Sequence, residues 1–171
     1  MLKFVGLIGI VLSLGLVGIM KYEQLKTRVN LLEDFLQMIL ELKGQIGYFK
    51  EPLPLIFARA EKKGDSKAFK LLGSVESKLN QKDDEIAKIW PLAVSEIYND
   101  MPLQKEDFDT IKYLGTFIGQ TDYDNHIFHF SYLEEKLANQ IADGKNSLKT
   151  KGPMYRKIGF FLGAILAILL I

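Results

Sequence analysis

The sequence predicts an all-α protein: a bundle of about six helices between an N-terminal and a C-terminal membrane helix. Three observations carry this. Apolar side chains recur at steps of three and four through nearly the whole chain, the period of a helix face, and strand-like alternation is hard to find. Proline and glycine breaks cut that pattern into separate runs. Both ends are apolar and uncharged, since residues 4–20 and 158–171 hold no ionisable side chain. The expected organisation is a transmembrane anchor at 1–21, an all-α helical bundle at 22–153, and a transmembrane or membrane-embedded helix at 154–171.

At 1.5 Å per residue the first apolar segment is about 26 Å long as a helix, near the hydrocarbon thickness of a bilayer. Lys3, Lys21 and Tyr22 then fall at the two interfaces. No A-x-A-like cleavage site precedes Lys21, so a retained anchor is expected rather than a cleaved leader. The second segment spans about 21 Å, or about 26 Å from Tyr155 if Arg156 and Lys157 snorkel to the headgroups. Gly159, Gly163 and Ala167 recur at i,i+4 on one helix face, and Gly9 and Ser13 repeat that spacing in the first segment. Small residues let helix backbones approach closely in lipid, so these five are candidates for membrane-helix packing. Lys21, Lys26, Arg28, Lys145, Lys149, Lys151, Arg156 and Lys157 flank the segments on the body side. That bias puts the body in the cytoplasm.

In the body, Leu25, Val29, Leu32, Leu36, Ile39 and Ile46 form one stripe, and Leu31, Phe35, Met38 and Leu42 a second beside it. Together they predict a long helix over about 22–49 with a broad apolar face. Pro52 and Pro54 stop it, and a short helix follows over about 54–62. A turn at Gly64, Asp65 and Ser66 opens a helix over 66–80 that buries Phe69, Leu72, Val75 and Leu79. Asp83 or Asp84 caps the next, with Ile86, Trp90, Ala93 and Ile97 inward and Pro91 expected to kink or split it. A fifth over 105–118 buries Phe108, Ile111, Leu114 and Ile118 and ends at Gly119. Thr121 or Asp122 caps the last, with Ile127, Phe130, Leu133, Leu137, Ile141 and Leu148 inward and Gly144 and Pro153 as weak points.

Composition narrows function. Between the two segments 21 basic side chains balance 21 acidic ones, so no basic excess exists to neutralise phosphates, which argues against nucleic acid. With no cysteine, disulfides, thiolate metal sites and cysteine nucleophiles are excluded. Asp122 and Asp124 have D-x-D spacing, but Ile127 and Leu133 stand where a calcium loop needs Gly and Glu. His126 and His129 share a helix face at i,i+3, but two ligands do not make a zinc site. No phosphate-cradling glycine loop, nucleophile elbow or carboxylate pair is found, so no catalytic residue, cofactor, metal or small-molecule substrate is expected. The candidates left are for contact. Leu53 and Pro54, beside Pro52, lie in an apolar turn expected at the surface. Gly115 and Gly119, read as i,i+4 on one helix with Asp122 just beyond, would let another helix approach.

Several of these pieces, in order and spacing, resemble the stage III sporulation protein AB family. They are the Met1-Leu2-Lys3 start before an anchor, Leu40-Glu41-Leu42, and Gln45-Ile46-x-Tyr48. Further along come Pro52-Leu53-Pro54, Trp90, the 114–120 run ending in Gly119 and Gln120 before Asp122, and the 154–159 run leading into the C-terminal apolar residues. The 152–153 Gly-Pro pair departs from the uninterrupted charged helix expected there. The resemblance implies a body like the cytoplasmic domain of the type II secretion inner-membrane platform protein. It also implies a place in a secretion-like complex of the mother cell, in the outer forespore membrane. Its partners would be other stage III proteins, among them a cytoplasmic secretion-type ATPase, and self-association is compatible with it. The expected function is therefore a non-catalytic assembly platform that links such an ATPase to a membrane channel. A membrane-bound sensor module is the alternative, and an enzyme using His126 with a neighbouring carboxylate is a third.

Overall fold

A computed structural model of the chain describes residues 2–48, 51–81, 85–119 and 123–169; within these, side chains are described except at 2–8, 10–12, 47–48, 123–125, 156, 167 and 169. Among the described residues there are six α-helices and no strands: α1 (Leu2–Tyr48), α2 (Leu53–Glu61), α3 (Lys67–Gln81), α4 (Ile86–Tyr98), α5 (Lys105–Phe117) and α6 (Tyr123–Leu169). The chain divides into two compact units, Asn30–Ile141 and Met1–Val29 with Ala142–Ile171. The long first and last helices contribute to both.

In the Asn30–Ile141 unit, α2 packs on α3, α3 on α4 and α4 on α5. The two stripes of α1 meet in one buried face: Leu31, Leu32, Phe35, Met38, Ile39 and Leu42 are all buried, while Leu36 and Ile46 lie half-buried against the core. Pro52 is the N-cap of α2, and Pro54 falls in the first turn, where a missing N–H is not needed. Pro91 neither splits nor ends α4, which runs on to Tyr98. The Ser95 hydroxyl donates to the Pro91 carbonyl at 2.9 Å inside that helix. Asp83 and Asp84, the expected caps of α4, lie outside the described residues, and Glu85 holds the N-cap position. At α5 the backbone N–H of Gln104 donates to Asp107 Oδ2 at 2.8 Å, half of a reciprocal capping box that buries Asp107 completely.

Trp90, fully buried, centres this core. Its indole N–H donates to the Ile111 carbonyl at 2.9 Å, and its ring lies 6.5 Å from Phe57. That bond satisfies the one polar atom of the ring, so burial of the indole carries no unpaired donor. Gln140 on α6 donates to Thr110 Oγ1 at 2.9 Å and to the Glu106 carbonyl at 3.1 Å, which fixes α6 against α5. Lys43 and Glu134 pair at 2.8 Å and fix α6 against α1.

In the Met1–Val29/Ala142–Ile171 unit, α1 and α6 run antiparallel along a glycine seam. A Cβ on Gly144 would stand 2.9 Å from Val29 Cγ2, one on Gly152 2.8 Å from the Tyr22 ring, and one on Gly159 2.6 Å from the Leu14 carbonyl oxygen and 3.3 Å from Gly18 Cα. Positions 144, 152 and 159 are seven and eight residues apart, two helical turns, so they share one face. The expected weak point at Gly144 is thus a point of close approach, and α6 continues through Pro153 without a break. Among the described residues, no helix is long and apolar enough to cross a membrane.

Candidate functional site

Two groups of candidate residues come together where α2 begins and α5 ends. α5 stops at Phe117; Ile118 is its C-cap, with ψ 119°, and Gly119 follows with φ 90°. Gly115 and Gly119 therefore do not share a helix, because the chain turns out of the helix between them. The left-handed backbone at Gly119 is one that residues with a Cβ avoid. Gly119 itself is exposed, yet a Cβ there would stand 3.0 Å from Leu53 Cδ1 and 3.3 Å from Ile86 Cγ2. Gly115 is buried, and a Cβ on it would stand 2.5 Å from Trp90 Cβ. Asp122 lies outside the described residues.

The turn expected to be open is only partly so. Pro52 is exposed, but Leu53 and Pro54 are half-buried, and Leu53 packs on the core. The exposed apolar side chain here is Leu55, 58% accessible, one turn position away from the residues the sequence singled out. Because Leu53 leans on Gly119, the first turn of α2 shows its next apolar residue outward. Glu51, just before this short helix, and Arg59, in its last turn, form an ion pair at 2.5 Å.

The most exposed of the large apolar side chains described in this unit, Phe128, lies at the start of α6, and the sequence reading missed it. Ile127 was expected in the core but is 42% accessible, and Phe128 is 70% accessible. His126 takes the inward position instead, buried edge-on against Phe117 at 6.0 Å; counting back four residues from buried Phe130 leads to it, whereas counting three leads to Ile127. His129 is half-buried, stacked on Phe117 at 4.8 Å, with Nδ1 2.6 Å from the Tyr113 hydroxyl. Tyr113 reaches Tyr132 edge-on at 5.4 Å, and Phe128 reaches His129 at 5.6 Å. Rings linked in this way hold an exposed phenylalanine on a rigid base. Both histidines are engaged with aromatic rings, and among the described residues no group of three or more His, Asp or Glu side chains gathers where it could hold a metal ion.

The membrane-packing candidates fall differently from one another. Gly159 and Gly163 are buried, Gly159 against the backbone of Leu14 and Gly18. Gly9 and Ser13 are exposed, and the space around Gly9 is open. The side chain of Ala167 lies outside those described. Gly18, Gly144 and Gly152, which are not among the packing candidates, complete the seam.

Comparison with known proteins agrees with this helical plan. A solved structure of stage III sporulation protein AB superposes with a TM-score of 0.66 over 72% of this chain and 97% of its own, at 17% identity, and shows the same fold. Stage III sporulation protein AB of Bacillus subtilis (strain 168) is 21% identical over 170 residues, which cover 99% of either chain. The family model described as stage III sporulation protein AB matches residues 3–171. The chain thus belongs to the stage III sporulation protein AB family and is a sporulation protein.

Proposed function

We propose that this chain is a non-catalytic, membrane-anchored platform of a mother-cell complex, and that it joins a cytoplasmic secretion-type ATPase to a membrane channel during endospore formation. Family membership supplies the sporulation role. The membrane part rests on the two ends, where residues 4–20 and 158–171 carry no charge and where Leu16, Met20, Phe161 and Ile168 are each more than half exposed. Side chains of that kind facing water would be unfavourable, and lipid removes the penalty.

The docking part rests on one observation: Phe128 is 70% exposed on a base of stacked rings. A large aromatic residue held rigidly at the surface is the type of side chain that anchors protein interfaces. Leu55, beside the Pro52-Leu53-Pro54 turn, offers a second, smaller contact. The test places a photoreactive amino acid at Phe128, Leu55 or, as control, Ser77 in sporulating cells. Crosslinks from Phe128 or Leu55 to the ATPase or to other stage III proteins, absent from Ser77, support the platform. Crosslinks from none of these positions, in cells that still form spores, contradict it.

A further inference from the structure

We propose that α6 binds an anionic phospholipid on the face between Thr150 and Ile165, with the phosphate at Lys157 and an acyl chain along Ile158, Phe161 and Ile165. The inference rests on the membrane reading above and deepens it. This face lines a groove of about 470 Å³, within the size range of small-molecule sites. Thr150, Met154, Lys157, Phe161 and Ile165 line it at steps of three and four residues, with Ile158 beside them four residues after Met154, so they form one strip of the helix surface. The strip changes character along its length. From Ile158 onward it is apolar and solvent-facing, with Ile158 43%, Phe161 62% and Ile165 54% accessible. Towards Thr150 it meets Lys157. A helical side chain leans towards the helix N-terminus, so the Lys157 ammonium extends away from the apolar half and towards the Thr150 hydroxyl. An amphiphile with an anionic head has this same division.

Charge makes the sign of the head specific. The Met1–Val29/Ala142–Ile171 unit holds nine basic and two acidic side chains, a net charge of +7, while the Asn30–Ile141 unit holds 13 basic and 19 acidic, a net charge of −6. The neutral sum over the body hides this separation. Beyond Asp143, α6 carries Lys145, Lys149, Lys151, Arg156 and Lys157 and no acidic side chain. Lys145, Lys149, Lys151 and Lys157 are all exposed. Clustered lysines next to an apolar helix segment are attracted to anionic headgroups and gain little from zwitterionic ones. Free phosphate would use the lysine but leave the apolar strip in water, so the occupant is a membrane lipid.

The test uses the full chain, purified in detergent and given an equimolar mixture of phosphatidylglycerol and phosphatidylcholine with identical acyl chains. Lipids retained on the protein are counted by native mass spectrometry. The proposal expects phosphatidylglycerol to be retained about five-fold over phosphatidylcholine, the effect of one lysine at an anionic surface. Lys157→Gln brings the ratio to about one, Lys157→Arg keeps it, and Lys62→Gln, an exposed lysine of the other unit, leaves it unchanged. Millimolar inorganic phosphate does not displace the lipid. Equal retention of the two lipids, or an unchanged ratio in Lys157→Gln, overturns the proposal, as does displacement by phosphate. Carbonate extraction of the chain from cell membranes separates the two levels: release into the soluble fraction defeats the membrane reading, and retention without headgroup preference defeats only this inference.

Discussion

Leu53 Cδ1 lies 3.0 Å from the point where a Cβ on Gly119 would stand, and Gly119 holds φ at 90°. The first turn of α2 and the end of α5 are thus matched through a residue that has no side chain. Gly119→Ala meets two penalties, a left-handed backbone and a crowded Leu53, and should destabilise the protein by about 1–3 kcal/mol. Thermal unfolding of the full chain in detergent micelles, followed by far-ultraviolet circular dichroism, measures this. Gly119→Ala in a Leu53→Ala background should lose only the backbone part, since the truncated residue leaves room.

Gly115 and Trp90 form a tighter version of the same device. A methyl at Gly115 would meet Trp90 Cβ, which the main chain of α4 holds in place. Gly115→Ala should therefore cost about 1–3 kcal/mol by overpacking. Trp90→Phe keeps the Cβ that crowds position 115 and leaves the Ile111 carbonyl without its indole donor, a further loss of about 1 kcal/mol. Denaturant titration of the single and double variants checks whether the two effects are coupled, as residues in contact should be.

The glycine seam predicts a graded response. At Gly159 the obstacle is backbone, the Leu14 carbonyl and Gly18 Cα, whereas at Gly144 it is a Val29 methyl group. Backbone cannot swing aside, so Gly159→Ala should loosen the Met1–Val29/Ala142–Ile171 unit more than Gly144→Ala does. Gly9→Ala, with open space around it, should change nothing. Limited proteolysis in micelles reads this as cleavage near Tyr22 and Gly152 that is fastest in the Gly159 variant, slower in the Gly144 variant and unchanged in the Gly9 variant.

Asp34 gives the fold a pH dependence. Burial lifts its carboxyl above the usual 3.8, and neighbouring Glu33 adds to the effect. Burial, then the Asp34 charge, also pushes the Tyr98 phenol well above its usual 10. An acid with a raised folded pKa holds its proton more tightly when folded, so its contribution to stability is full below 3.8 and is lost as pH rises through the raised value. Asp34→Asn should then raise the melting temperature at pH 7 and make no difference below pH 3.8. Tyr98→Phe removes a buried hydroxyl that has no hydrogen-bond partner among the described residues, and should be neutral or stabilising by up to about 1 kcal/mol at every pH below 9. Melting curves from pH 3 to 8 test both.

The helices were legible because burial imposes period: the stripes at Leu32, Phe35, Ile39, Trp90, Leu114 and Leu133 are all core. What escaped was register and three-dimensional pairing. Ile127 and His126 differ by one position, and it is His126 that turns inward, against the Phe117 ring. Pro91 looks like a break because sequence shows the missing donor but not the packing around α4, which continues to Tyr98. Leu53 looked exposed because its partner, Gly119, is 66 residues away in the chain. Phe128 gave no signal, since a surface phenylalanine and a buried one look alike in a helical run. The separation of charge was hidden for a related reason: each unit is assembled from distant parts of the sequence.

The proposed platform is a helical body tethered to a membrane at both ends, on the cytoplasmic side. Because the chain has no cysteine, single cysteines report position without background. The direct test labels Ser77→Cys and Glu96→Cys with a membrane-impermeant maleimide in intact sporulating cells and again after permeabilisation, with the membrane fraction washed in carbonate first. A tethered cytoplasmic body gives no labelling in intact cells, full labelling after permeabilisation, and a chain that stays in the washed membranes. Labelling of either position in intact cells, or a chain released by the wash, would contradict it.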